Sequence, residues 1–187
     1  MTRLNILITI VVLIISTSAL GQKFEVTPNG LHDANDNTKT FLVINCEGKS
    51  AKELYENAIK YVNQNYKNPQ EVLKGQIESE YFSFVTCSSN VITFRRSGGH
   101  PTYYLTYRTE LNFKDGKVKY EIQDIKIKGV NGGQLFFSGN PFTTVAIFNL
   151  NGELKYAEAK TVVENYFNTE ASKIKEFLMG SKIKENW

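Results

Sequence analysis

Only two cysteines and two histidines occur among 187 residues. Two thiols are too few for a disulfide scaffold or a structural zinc cluster. Four prolines and thirteen glycines are too few for a collagen-like or low-complexity chain. No Gly-x-Ser-x-Gly, His-Glu-x-x-His, Cys-x-x-Cys or Gly-x-Gly-x-x-Gly string is present, so the common hydrolase, zinc-protease, thiol-redox and dinucleotide signatures are missing. Basic residues outnumber acidic ones by 22 to 19; a net charge of +3 is too weak to argue for nucleic acid by itself. What remains is ordinary for one folded domain: 41% hydrophobic and 22% charged residues, which excludes a coiled coil and a disordered chain.

The N-terminus reads as an address. Arg3 precedes an apolar run from Leu4 to Ile15, and the small residues Ala19 and Gly21 follow at the spacing a signal peptidase reads. The run is short for a membrane span, and Thr9 and Ser16 to Ser18 weaken it. No cysteine follows it, which excludes a bacterial lipoprotein anchor. Residues 1–21 are therefore expected to be a cleaved signal peptide. The mature chain would begin near Gln22 and be exported, periplasmic or secreted, with no transmembrane segment.

Residues 22–39 are polar and contain His32-Asp33-Ala34-Asn35-Asp36-Asn37. They read as a flexible lead-in or an edge segment. Phe41 to Cys46 is a short apolar run rich in β-formers, hence a strand. Ser50-Ala51-Lys52-Glu53 is a capping box, and Ala51, Leu54, Tyr55, Ala58, Ile59, Val62 and Tyr66 continue at helical spacing. Asn68-Pro69 stops that helix. Period-two patterning then predicts strands over Val72–Lys74, Ile77–Thr86, Val91–Arg96, Thr102–Phe113 and Lys117–Lys128, the first two open to being one bent strand. Asp115-Gly116 carries a two-residue hairpin signal. It pairs Phe113 with Val118, Leu111 with Tyr120 and Thr109 with Ile122, all on one face. The same register sets Glu110 opposite Glu121, with Arg108 and Lys119 placed to offset the repulsion. After Ile122 the apolar phase slips, which predicts a bulge near Gln123-Asp124. Gly129 to Pro141 reads as a loop, Thr144 to Asn149 as a short extra strand, and Glu158 to Met179 as a helix stopped by Gly180. The layout is α+β, with two helices on one face of a curved antiparallel sheet. The domain spans 40–180, and 181–187 is a polar tail.

Phe41 to Tyr66 (FLVINCEGKSAKELYENAIKYVNQNY), Tyr103 to Ile127 (YYLTYRTELNFKDGKVKYEIQDIKI) and the closing amphipathic helix resemble a family of secreted bacterial proteins, domain of unknown function 4468, with a TBP-like fold. The resemblance covers roughly Phe41 to Leu178. It implies a β-α-β-β-β-β-α unit with sheet order 1-5-4-3-2. It implies no activity, cofactor or catalytic residue. The stretch Gly129 to Asn151 is longer than the minimal pattern. The implied order puts Cys46 and Cys87 at opposite sides of the sheet, so a bridge between them is disfavoured and both are expected as buried free thiols.

Partial motifs reduce to structure. Gly48-Lys49-Ser50 looks like the end of a phosphate loop, but Val43 stands where that loop needs glycine. Ser172-Lys175 and Ser181-Lys184 have a Ser-x-x-Lys spacing without its companion motifs. His100 lies in a turn, and His32 with Asp33 and Asp36 lacks any fixed ligand geometry. No catalytic residue, metal site or cofactor is expected. Arg95, Arg96, Lys114, Lys117, Lys119, Lys126 and Lys128 give a basic bias that reads as a solvated sheet face rather than a nucleic-acid surface. The abundant aromatics read first as core. Their functional alternative is a pocket between sheet, long helix and the glycine-rich loop, holding a ligand among Tyr107, Tyr120, Phe136 and Phe142. The expected function is a non-enzymatic exported domain that binds a small ligand or a protein partner at the cell envelope. The alternatives are an envelope assembly protein, or an enzyme of unfamiliar type using Asp124 with Arg108.

Overall fold

The structure, a computed structural model, describes residues 22–96, 98–140, 142 and 144–180. The expected signal peptide, the tail 181–187 and the Ser181-Lys184 pair lie outside the described residues. The chain runs β1 (Phe24–Thr27), β2 (Gly30–Asp33), β3 (Phe41–Asn45), α1 (Ala51–Asn65), α2 (Pro69–Val72), β4 (Leu73–Ile77), β5 (Tyr81–Thr93), β6 (Thr102–Lys114), β7 (Lys117–Gly129), β8 (Gln134–Gly139), β9 (Val145–Asn149) and α3 (Ala157–Leu178). The main sheet runs β4-β5-β6-β7-β8-β9, and β3 also pairs with β7. Five of these strands reproduce the expected 1-5-4-3-2 order, as β3-β7-β6-β5-β4. All pairs are antiparallel except β8 with β9.

The β6–β7 hairpin shows why the sequence selects this sheet. Phe113 faces Val118, Leu111 faces Tyr120 and Thr109 faces Ile122. Successive positions of β6 alternate without a break between half-buried and buried as far as Phe113, so a one-residue slip would turn the whole apolar set to solvent. Gly116 at φ 73 supplies the left-handed turn residue. Glu110 does face Glu121. Each is neutralised along its own strand, by Arg108 (Nε to Oε1, 3.0 Å) and by Lys119 (Nζ to Oε2, 2.7 Å). The bulge falls at Asp124, φ 54, between the Arg108–Gln123 and Thr106–Lys126 pairs.

The same turn fastens α1. Asp115 Oδ1 accepts from the Ala51 amide at 2.8 Å. Gly116 donates to the Lys49 carbonyl and accepts from the Cys46 amide, both at 2.8 Å. The Ser50–Glu53 capping box is formed in both directions. Leu54, Tyr55, Ala58, Tyr61 and Val62 then face the core. From α3, Ala159, Val163, Phe167, Ala171, Ile174, Phe177 and Leu178 do the same.

Four expectations need correction. Residues 22–39 form the β1–β2 hairpin rather than a flexible lead-in, and Phe24, Val26 and Leu31 belong to the one hydrophobic core. Side chains of α3 stand in for a missing neighbouring strand. Asn168 accepts from the Phe24 amide (2.8 Å) and donates to its carbonyl (3.0 Å), and Glu164 accepts from the Val26 amide (2.9 Å). Residues Val72–Lys74 and Ile77–Thr86 are not one bent strand: Ser79, φ 62, turns the chain between β4 and β5. The expected strands Ile77–Thr86 and Val91–Arg96 instead merge into β5, with a register shift between Ser88 and Ile92. The stretch Gly129–Pro141 is not all loop, because β8 pairs with β7 and β9.

Candidate functional site

A seam of hydroxyl groups interrupts the apolar layer between sheet and helices. Residues Thr86 and Ser88 occupy inward positions of β5, two and four residues beyond Phe84, and Tyr107 and Tyr120 occupy inward positions of β6 and β7. The helical side adds Tyr61, Tyr66 and Tyr166. Tyr166 donates to Ser88 Oγ at 2.8 Å, so Tyr107 donates to the Tyr166 oxygen, 3.0 Å away. Tyr66 bonds Thr86. The rings pack edge-on: Tyr107 to Phe167 at 5.2 Å, Tyr61 to Phe177 at 5.4 Å. Tyr120 is fully buried, and its hydroxyl has no partner among the described residues.

Burial sets the chemistry of this seam. It holds the Tyr61, Tyr107, Tyr120 and Tyr166 phenols above their ordinary range and pushes Tyr66 up to about 12. All five stay neutral at physiological pH. They offer O–H donors and lone pairs, and no proton-transfer group poised near neutrality.

The four residues expected to share a ligand pocket are not brought together. Tyr107 and Tyr120 lie in the core, whereas Phe136 on β8 is 38% exposed and Phe142 is 94% exposed. The physical reason is strand parity: Leu135 takes the inward position on β8, so Phe136 faces outward. Sequence reading missed Tyr61, Tyr66, Tyr166, Thr86 and Ser88. Tyr61, three residues after Ala58, carries the helical-spacing signal, and Tyr166 lies within the closing amphipathic helix.

Three clefts stand out among the described residues. One of about 320 Å³ lies between β3 and α3, lined by Gln22, Leu42, Ile44, Asn168, Ser172 and Lys175. Ser172 there only bonds the Asn168 carbonyl of its own helix. A second of about 240 Å³ lies beside β9, against Thr144, Phe148 and Tyr156. The third, about 480 Å³, is at the β5–β6 hairpin. Neither phenylalanine lines any of them.

The remaining candidates resolve simply. Cys46 is buried, with its thiol pKa raised by that burial, and Cys87 is exposed; both are free. The expectation of two buried thiols therefore fails at Cys87, which takes the outward parity of β5 between Thr86 and Ser88. His32 Nδ1 bonds the Asn37 carbonyl, and Asp33 accepts from the Asn35 amide. Lys39 and Thr38 hold Asp36 down at about 2. Among the described residues no group of three or more His, Cys, Asp or Glu gathers as a metal site. Asp124 is 65% exposed and pairs with Arg108 at 3.2 Å. Among the described residues no helix is long and apolar enough to cross a membrane.

This architecture is an α+β domain of TBP-like fold. Residues 41–128 match the family described as domain of unknown function (DUF4468) with TBP-like fold. A crystal structure of a DUF4468 family protein from Bacteroides ovatus ATCC 8483 is similar at a TM-score of 0.53 and 12% identity, over 78% of this chain and 87% of that one. A TBP-like protein from Parabacteroides distasonis ATCC 8503 aligns at a TM-score of 0.47 and 8% identity, over 76% and 92%. No curated protein matches the chain.

Proposed function

We propose that the chain is an exported, non-enzymatic binding domain that engages a protein partner at the cell envelope through residues 129–156. One observation carries this reading. Of the seven exposed large hydrophobic residues among those described, five fall in this arm: Val130, Phe136, Phe142, Leu150 and Leu154. Single exposed apolar side chains are normal, but their concentration on one arm marks an interaction surface. The export half of the proposal rests on the sequence of residues 1–21. The non-enzymatic half rests on the missing catalytic motifs.

A photo-crosslinking amino acid placed at Phe142 tests it, with the same group at exposed Ile77 as control. A discrete adduct in intact cells at 142 and not at 77 supports the reading. No adduct at 142, or the same smear at both positions, ends it. The unpartnered Tyr120 hydroxyl favours a second reading, a small polar guest in the seam. Native mass spectrometry checks that: an extra mass lost in Tyr120→Phe supports a guest, and a bare mass rules out a tight one.

A further inference from the structure

We propose that the β5–β6 hairpin holds an anion site for a phosphate group, formed by Arg95, Arg96 and His100. These three residues line the 480 Å³ cleft together with Gly98, Gly99 and Tyr156. The choice of basic residue is informative. The described residues contain three arginines. Arg108 is spent on Glu110 and Asp124. No carboxylate lies within ion-pair distance of the Arg95 or Arg96 guanidinium, among the described residues. Guanidinium is the side chain that grips a tetrahedral oxyanion through two parallel N–H bonds. Two of them, with the imidazole of His100 as a further N–H donor, line one open cleft.

The residues on either side of position 97 are also fastened before any ligand arrives. Phe94 is fully buried, stacked on Tyr103 at 5.5 Å with planes 11° apart, and packs against Tyr156 at 5.7 Å. Arg96 and Gly99 exchange backbone hydrogen bonds of 2.9 and 3.0 Å. The Arg95 amide donates to the Glu158 carboxylate at 2.8 Å, which ties the loop to the first turn of α3. Gly98 and Gly99, at φ 96 and 140, make the tight return and put no side chain into the cleft. A backbone fixed this way leaves mainly side-chain freedom to be lost on binding. Arg95 and Arg96 both reach the same cleft because β5 ends at Thr93, beyond which alternation of faces no longer applies. The phosphate could be free in solution or borne on a lipid headgroup; the recognition chemistry is the same.

The test uses the chain from Gln22 to Trp187 and inorganic phosphate as the probe, read by calorimetry against chloride at matched ionic strength. Saturable binding, weakened about tenfold or more in R95Q/R96Q, is the expected result, since each variant removes charge-assisted bonds. A control variant, K114Q/K117Q, removes two exposed charges elsewhere on the sheet and should bind as the parent does. No saturation, equal binding in R95Q/R96Q, or an equal loss in K114Q/K117Q overturns the site. The melting temperature of R95Q/R96Q should match the parent, because both side chains are exposed. If it does not, R95K/R96K keeps the charge without the planar fork and should still bind more weakly; parent-like binding by that variant also overturns the site. Sedimentation with phosphatidylglycerol vesicles then separates the sources. Arginine-dependent pelleting, competed by phosphate, assigns a headgroup; phosphate binding without pelleting assigns the free ion.

Discussion

Strands β6 and β7 and strands β8 and β9 solve opposite problems within one sheet. The first pair is long, antiparallel and closed by two residues, and it turns one complete face inward. The second pair is short, parallel and joined across only the residues between Gly139 and Val145. Parallel neighbours usually need a crossover of about a dozen residues or more. Here a Cβ at Gly139 would press into the Thr144 hydroxyl. The first pair commits its large side chains to the core: Leu111, Val118 and Tyr120 are almost wholly buried. The second leaves Phe136 and, at its tip, Phe142 in water. Apolar surface buried in the frame drives folding; apolar surface displayed by the arm is left over for something else.

That contrast can be broken by mutation. Phe84→Ala in the frame should cost about 3–5 kcal/mol, whereas Phe142→Ser in the arm should stay within about 0.5 kcal/mol of the parent. Urea titrations of both compare them directly, and an equal loss would erase the distinction. Alkali should act on the frame alone. Tyr66 titrates at about 12 in the folded chain and near 10 when unfolded. Its contribution is therefore complete below pH ~10 and is lost as pH rises through about 12. Thermal melts followed with tyrosinate absorbance should show this fall, with Phe142→Ser following the parent curve. Gly139→Ala should loosen the arm by about 1–3 kcal/mol through overpacking. Hydrogen exchange should then speed up over 134–149 and leave 102–122 unchanged. Ser50→Ala, which removes one half of the capping box, should cost about 1 kcal/mol and lower the melting temperature without altering amide exchange in the arm.

The frame was legible in the sequence because its signals are local. The Asp115-Gly116 turn and the alternation on either side name the same register, and Ser50 with Glu53 marks where α1 begins. The phase slip after Ile122 located the bulge. The N-terminal hairpin was overlooked although Asn29-Gly30 sits between alternating apolar residues, because its strands are four residues long and their missing partners come from Asn168 and Glu164 on a distant helix. Strand β8 was hidden for a related reason: its glycine-flanked sequence gains strand character only by pairing with β7 and β9. The aromatic residues were recognised by type but not by direction. Parity put Tyr107 and Tyr120 inside and Phe136 outside, so the pocket imagined from composition had no shared space to occupy.

The pairing of β3 imposes a timetable. Its sheet neighbour is β7, through contacts from Phe41 with Glu121 to Asn45 with Lys117, and the first amide of α1 is held by Asp115. A chain made from its N-terminus has β3 and α1 in hand long before either partner exists. Loop closure across such a span is slow compared with local pairing. Both elements must wait, unfastened, until the β6–β7 hairpin has been produced, so a ribosome that delays the stretch around Lys117 delays the frame as a whole. Truncation before Asp115 should yield a protease-sensitive product, and extension through Gly129 should mark the length at which protection first appears.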